Sequence, residues 1–163
     1  MSLPMQRDVG VFDLPDLSLA DGVGVDVVGV AAFGAQLDAP GTRFAEVFTP
    51  CERRTAASRP HPAASLAARW AAKEAVVKAW SASRFGLADV ISRDHLDWRE
   101  IEVRTDALGR VAIRLHGAVA AALTGHDVLV SLSHDVDADV AVAYAVLVPR
   151  RPSPDSEIQE ITP

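Results

Sequence analysis

The sequence predicts an α+β fold, a mainly antiparallel sheet packed with one long helix. Three observations carry that expectation. An alanine-rich stretch from about Ala63 to about Ser81 holds neither glycine nor proline and consists largely of good helix formers. Ile101–Thr105 and Val111–Leu115 largely alternate apolar with polar residues around the turn Asp106-Ala107-Leu108-Gly109, the pattern of a hairpin with one wet face. Two further apolar runs, Val128–His134 and Val140–Val148, flank an acidic turn and read as a second strand pair.

The remaining elements follow in chain order. Val23–Val30 is a β-branched run bounded by glycines and short enough for a strand. Thr49-Pro50-Cys51-Glu52 is a capping box with proline at the first helical position, so a helix begins there. Arg59-Pro60-His61-Pro62 interrupts it, because each proline biases its predecessor away from helical angles and neither fits a helix interior. The long helix comes next, and Gly117–Leu123 gives a short one ending at Gly125.

At 163 residues, 49% of them hydrophobic, the chain is long enough for one core and too short for two large domains. Residues 23–148 carry the domain pattern. Residues 1–22 form an N-terminal extension whose Val11, Phe12, Leu14, Leu17 and Leu19 can pack on the domain, although Pro4, Pro15 and Gly22 oppose a long element. Residues 149–163 are rich in proline and polar groups and read as a disordered tail. No internal repeat occurs.

Composition excludes several functions. The single cysteine, Cys51, rules out a disulfide framework within the chain and a cysteine-based zinc site. No segment resembles a secretion signal and no apolar run reaches about 18 residues, so a cytoplasmic protein outside the membrane is expected. The net charge of −6 resides largely in the two ends, which leaves the domain close to balanced and permits a local positive pocket. Nucleic-acid binding is not expected, because no basic face or aromatic-plus-basic stripe is present.

Two placements of charge stand out. Arg69, Lys73, Glu74 and Lys78 lie on the alanine-rich helix, and Asp26 interrupts the valine-rich first strand. Ionised groups in apolar settings need a partner, a metal or a shifted pKa, so these point to a metal ion and phosphates. Helical geometry makes Arg69 and Lys73 neighbours, and Glu74 and Lys78 neighbours, so they line a groove with Glu74 facing its centre. A solvated face with a Glu74–Lys78 pair fits the helix equally well. Asp26 shares its strand face with Gly24, which permits close approach of a ligand; the alternative is an Asp capping a nearby backbone N–H. His134, at a strand end, is either a phosphate contact or a surface histidine. Ser131, Ser133, His134 and Asp135 do not form a hydrolase triad, because adjacent strand residues point to opposite faces and no nucleophile elbow exists. The five histidines lack metal-ligand spacing, and no Walker loop or Gly-x-Gly-x-x-Gly is present.

Gly24-Val25-Asp26-Val27-Val28, Phe48-Thr49-Pro50-Cys51-Glu52, Leu66-Ala67-Ala68-Arg69-Trp70-Ala71-Ala72-Lys73-Glu74-Ala75 with Lys78-Ala79, and Val130-Ser131-Leu132-Ser133-His134 resemble the holo-acyl-carrier-protein synthases. These are the short form of the 4′-phosphopantetheinyl transferases, and the alanine-rich wording is similar to actinobacterial members. The resemblance spans residues 23–148 in order and spacing, and the Arg-Trp-Ala-Ala-Lys-Glu-Ala block is its specific part. It implies transfer of 4′-phosphopantetheine from coenzyme A to a serine of a carrier protein, with release of adenosine 3′,5′-bisphosphate. By the family pattern Asp26 and Glu74 hold Mg²⁺, Lys78 contacts the pyrophosphate, Arg69 reaches a phosphate of coenzyme A, His134 closes the site, and Glu74 is the route for the serine proton.

The short form also implies a homotrimer, with Asp26 and Glu74 from one chain and His134 from a neighbour. Longer transferases usually carry a third acid two residues after the first; here that position is Val28, which favours the short form. One departure concerns the partner. Ala31-Ala32-Phe33-Gly34-Ala35-Gln36-Leu37-Asp38 lacks the cations that family members use to dock acidic acyl carrier proteins, so steering by charge is weak. Carrier recognition through Phe33 and Leu37, with the carrier domain of a large fatty-acid synthase as acceptor, is therefore expected. Two rivals remain: a catalytically silent coenzyme A-binding or assembly domain of the same fold, and a different coenzyme A-dependent enzyme such as an acyltransferase.

Overall fold

The computed structural model describes residues 20–150. Most of the N-terminal extension and of the C-terminal tail therefore lies outside the described residues. The first strand, β1 (Gly22–Gly29), leads directly into α1 (Val30–Asp38). The strand ends one residue earlier than its valine run because of Asp139, in the acidic turn far along the chain. Its backbone carbonyl accepts the Val30 N–H at 3.3 Å and its carboxylate the Ala31 N–H at 2.6 Å. Two of the unsatisfied donors of a new helix are thereby met.

α2 (Pro50–Ala57) opens with the expected capping box: Thr49 Oγ1 accepts the Glu52 N–H, and the Glu52 carboxylate accepts the Thr49 N–H. α3 (Pro62–Ser83) starts with proline at its first position. The hairpin β2 (Ile101–Thr105) and β3 (Val111–Leu115), the short α4 (Gly117–Ala122), and the strands β4 (His126–Asp135) and β5 (Val140–Pro149) complete the order. β5 thus includes Pro149, and Arg150 bonds to Asp127 Oδ1 at 2.9 Å, so the first two residues assigned to the tail are part of the sheet end.

β1, β5 and β4 form a three-stranded sheet in that order, and β2 with β3 a separate pair; every pairing is antiparallel. The inner face of the sheet is built from small residues so that α3 can lie close to it. A Cβ at Gly22 would collide with the Ala79 carbonyl oxygen, and one at Gly24 with that of Ala75. The close approach that Gly24 allows is therefore used by the helix backbone and not by a ligand. Ala141, Ala143 and Ala145 continue the small surface along β5, and Trp80, Ile101, Val103, Leu123 and Leu147 fill the wider part of the core.

A second cluster gathers under α1, where the Phe33 ring meets Phe44 and Phe48 edge-on at 5.4 and 6.3 Å. Phe33 is only 4% exposed, which corrects its expected role on a carrier-facing surface. Its place at the fourth position of α1 turns it inward, and among the two named residues only Leu37 is partly accessible.

The hairpin is tied to the helices by buried charge. Lys73 and Glu52 are both fully buried, with Nζ 3.0 Å from Glu52 Oε1, and Lys73 also donates to the Trp98 and Ile101 carbonyls at 2.9 and 2.5 Å. Glu52 in turn accepts the Val103 N–H at 3.0 Å. Burial pushes the Lys73 ammonium below its usual range, against the pull of Glu52. Alongside, Glu102 accepts from Thr49 Oγ1 and sits 3.0 Å from His116 Nε2. Burial pushes the Glu102 carboxyl up, but the bonds from His116 and Thr49, with Arg104 nearby, outweigh it and hold the group below the usual range.

Two outcomes follow. Lys73→Met leaves Glu52 buried and unpaired and is expected to cost about 3–5 kcal/mol in urea unfolding, whereas Lys78→Met, whose ion pair is half-exposed, costs under about 1 kcal/mol. Because the folded pKa of Glu102 is depressed, its contribution to stability is complete above the ordinary glutamate pKa of about 4.3 and is lost as pH falls through the lower folded value. Glu102→Gln should flatten that acid limb in melting curves.

Candidate active site

α3 and β1 bring two carboxylates and Lys78 together, and the turn at Arg93 adds a second cation. Asp26 lies on the face of β1 that looks at α3, one alternation beyond Gly24. There Lys78 reaches it, Nζ to Oδ1 at 2.7 Å, and also donates to the Val25 carbonyl at 3.0 Å. Glu74, one turn earlier, does not pair with Lys78; it is bonded by Arg93, Nη2 to Oε1 at 2.5 Å. The Arg93 guanidinium stands over the Trp98 ring, 5.4 Å from its centroid. Burial pushes the Glu74 carboxyl above the usual range, Arg93 opposes this, and the nearby Asp26 charge adds to it. Asp26 and Glu74 are thus close enough to feel each other.

The other candidates belong to a different part of the molecule. Arg69 is buried, its Nη1 donating to the Ser65 carbonyl and Oγ at 2.9 and 2.5 Å and its Nη2 to Thr105 Oγ1 at 3.1 Å. Burial works against its charge, and its Nε has no partner among the described residues. It lines a cavity of about 370 Å³ together with Arg59, His61, Thr105 and His134. Asp26, Glu74 and Lys78 are not among the lining residues.

The solvated-face reading of the helix therefore fails for Arg69, Lys73 and Glu74, all buried. Asp26 binds a lysine side chain and, among the described residues, caps no backbone N–H. Four residues were missed in the sequence. Arg93 lies in an irregular stretch with no periodic pattern, Arg59 and His61 registered only as flanks of helix-breaking prolines, and Glu52 as a cap. Its three-residue spacing from Thr49 gives no sign that Lys73 shares it.

The donor chemistry of the Asp26–Glu74 pair fits a hard divalent cation. Both offer carboxylate oxygens, and among the described residues no group of three or more His, Cys, Asp or Glu could hold a metal. Two carboxylates leave room for water and other oxygen ligands, which hard divalent cations take. No helix among the described residues is long and apolar enough to cross a membrane.

Residues 22–145 match the family model of the 4′-phosphopantetheinyl transferase superfamily. The chain is 53% identical over 124 residues to the holo-acyl-carrier-protein synthase of Mycobacterium bovis, covering 75% of this chain and 93% of that protein. Among solved structures it resembles the acyl carrier protein synthase of Chronobacterium ammoniagenes in complex with coenzyme A, at a TM-score of 0.75 and 44% identity over 79% of this chain and 97% of that one. The acyl carrier protein synthase of Mycobacterium tuberculosis aligns at a TM-score of 0.66 and 44% identity, over 80% and 99% of the two chains.

The coupling of the carboxylates has a direct readout. Asp26→Asn should lower the Glu74 pKa and Arg93→Gln should raise it further, each followed by NMR of the ¹³C-labelled glutamate carboxyl.

Proposed function

Because the chain belongs to the 4′-phosphopantetheinyl transferase superfamily, among its holo-acyl-carrier-protein synthases, we propose that it transfers 4′-phosphopantetheine from coenzyme A to a carrier-protein serine. The acceptor is an apo acyl carrier protein or the carrier domain of a fatty-acid synthase, and the enzyme is cytoplasmic. The observation that carries this reading is the largely buried pair of carboxylates, Asp26 and Glu74, faced by Lys78 and Arg93.

The serine Oγ attacks the phosphorus that bears pantetheine, the bond from that phosphorus to the bridging anhydride oxygen breaks, and adenosine 3′,5′-bisphosphate leaves. Asp26 and Glu74 would hold Mg²⁺, which when bound offsets the charge of the pyrophosphate. Lys78 binds a pyrophosphate oxygen. Glu74 is the group placed to accept the serine proton. Arg69, with a buried guanidinium whose Nε has no partner among the described residues, offers charge to a further phosphate of the nucleotide, and His134 closes the same cavity. Phosphoryl transfer needs chiefly such positioning and neutralisation.

The separation of the two groups supports assembly from more than one copy. The cavity of Arg69 and His134 is lined by none of the residues that would hold the metal. The outer face of the sheet supplies a surface for assembly: Val23, Val25, Val27 and Tyr144 are 46, 52, 63 and 46% exposed, and Val25 and Tyr144 are direct cross-strand partners. Such a contiguous apolar sheet face is unusual on a monomer. A homotrimer closed through it sets Glu74 of one copy beside His134 of the next. The carrier meets an α1 that exposes Ala31, Ala32, Ala35, Gln36 and Asp38 and carries no cation.

Intact-mass spectrometry of an apo acyl carrier protein incubated with this protein, coenzyme A and Mg²⁺ should show a gain of one phosphopantetheinyl group. The gain should vanish with EDTA and fall by about 10²–10⁴-fold in rate with Glu74→Gln. Labelling of neither that carrier nor an excised synthase carrier domain would favour the silent domain. Tyr144→Asp should convert the trimer to monomers in light scattering and abolish labelling with the fold retained.

A further inference from the structure

Arg93 is the one charged group at the carboxylate pair that neither α3 nor β1 supplies. It opens a single 3₁₀ turn, Arg93–His95, and its side chain is 61% exposed while that of Glu74 is 9% exposed. The ion pair thus has a buried carboxylate end and a wet guanidinium end. The guanidinium rests on Trp98, and Trp98 is itself fixed: its ring packs at a tilt against Trp70, centroids 4.7 Å apart, and its carbonyl accepts from the buried Lys73. Arg93 and Lys78 both line a cavity of about 200 Å³ whose apolar walls include Val77, Trp80 and Ile91.

The charges at this place balance. Asp26 and Glu74 are answered one to one by Lys78 and Arg93. A divalent cation set on the two carboxylates would leave four positive charges against two negative ones, unless the side-chain cations turn to anionic oxygens of the substrate. We propose that Arg93 is a substrate-phosphate residue that exchanges partners. In the structure it holds Glu74; with metal and coenzyme A bound it moves to a pyrophosphate oxygen beside Lys78. An ion pair whose guanidinium end stands in water is screened there and can be given up, a guanidinium offers the fork of donors that suits phosphate, and the Trp98 face supports it in either position. The inference rests on the proposed function and extends it to a residue of this chain that no helix pattern marks.

The test measures two affinities in the unsubstituted protein, Arg93→Gln and Arg93→Lys. Free Mn²⁺, counted by electron paramagnetic resonance without coenzyme A, reports metal binding; calorimetric titration of coenzyme A at saturating Mg²⁺ reports substrate binding. Arg93→Gln should bind Mn²⁺ about two- to fivefold more tightly, since its competitor for Glu74 is gone. The same variant should bind coenzyme A about tenfold or more weakly, with Arg93→Lys between it and the unsubstituted protein. These opposite signs are the signature of exchange. Unchanged coenzyme A affinity, or both affinities weakened together, would overturn the inference while leaving the proposed function standing. Failure of the unsubstituted protein to bind either ligand would overturn the proposed function and this inference with it.

Discussion

The buried ion pair between Lys73 and Glu52 is the constraint on which the rest of the structure depends. Two fully buried charges persist only because each is saturated: Lys73 by Glu52 and two backbone carbonyls, Glu52 by Lys73, the Thr49 N–H and the Val103 N–H. Those bonds join the start of α2, the middle of α3, the Trp98 turn and strand β2 at one point. Three groups of functional interest are registered from there. Glu74 is the next residue along α3, Arg69 lies one turn back, and Trp98, which carries Arg93, lends Lys73 its carbonyl. The pair is a device of placement rather than a source of net stability.

A second constraint acts between helix and sheet. Glycines on β1 and alanines on β5 let α3 sit almost on the strand backbone. That closeness lets Lys78 span from the helix to Asp26, and it lets the carboxylates of Asp26 and Glu74 influence one another. The opposite face of the same sheet is left with exposed valines and Tyr144. One sheet therefore carries the carboxylate pair on its inner side and an exposed apolar face on its outer side.

Much of this was legible in the residues. Alternation gave the hairpin and the strand pair to within a few residues, the capping box located α2, and Asp26 and Glu74 announced themselves as carboxylates in apolar surroundings. What stayed hidden depends on contacts between distant parts of the chain. Asp139 starts α1 from a turn more than a hundred residues away, at 2.6 Å from the Ala31 N–H. Glu52 looked like a cap because its local bond is real, while its bond to Lys73 crosses between elements. Arg93 sits where no periodicity exists. Gly24 was assigned to a ligand when helix packing claims it, because a glycine reports that something comes close and not what does. Phe33 faces inward because the aromatic cluster under α1 is assembled from three segments of the chain.

In the proposed function the carboxylate pair and the Arg69–His134 cavity are halves of one site, met between copies. Co-expression of Glu74→Ala and His134→Ala, each inactive by itself, tests it most directly through the rate of carrier-protein labelling by the purified mixed assembly. If the halves meet between neighbours in a trimer, random assortment rebuilds about a quarter of the sites, and activity returns in that proportion. If no activity returns from mixed assemblies that form normally, both halves act within one chain and the account is wrong.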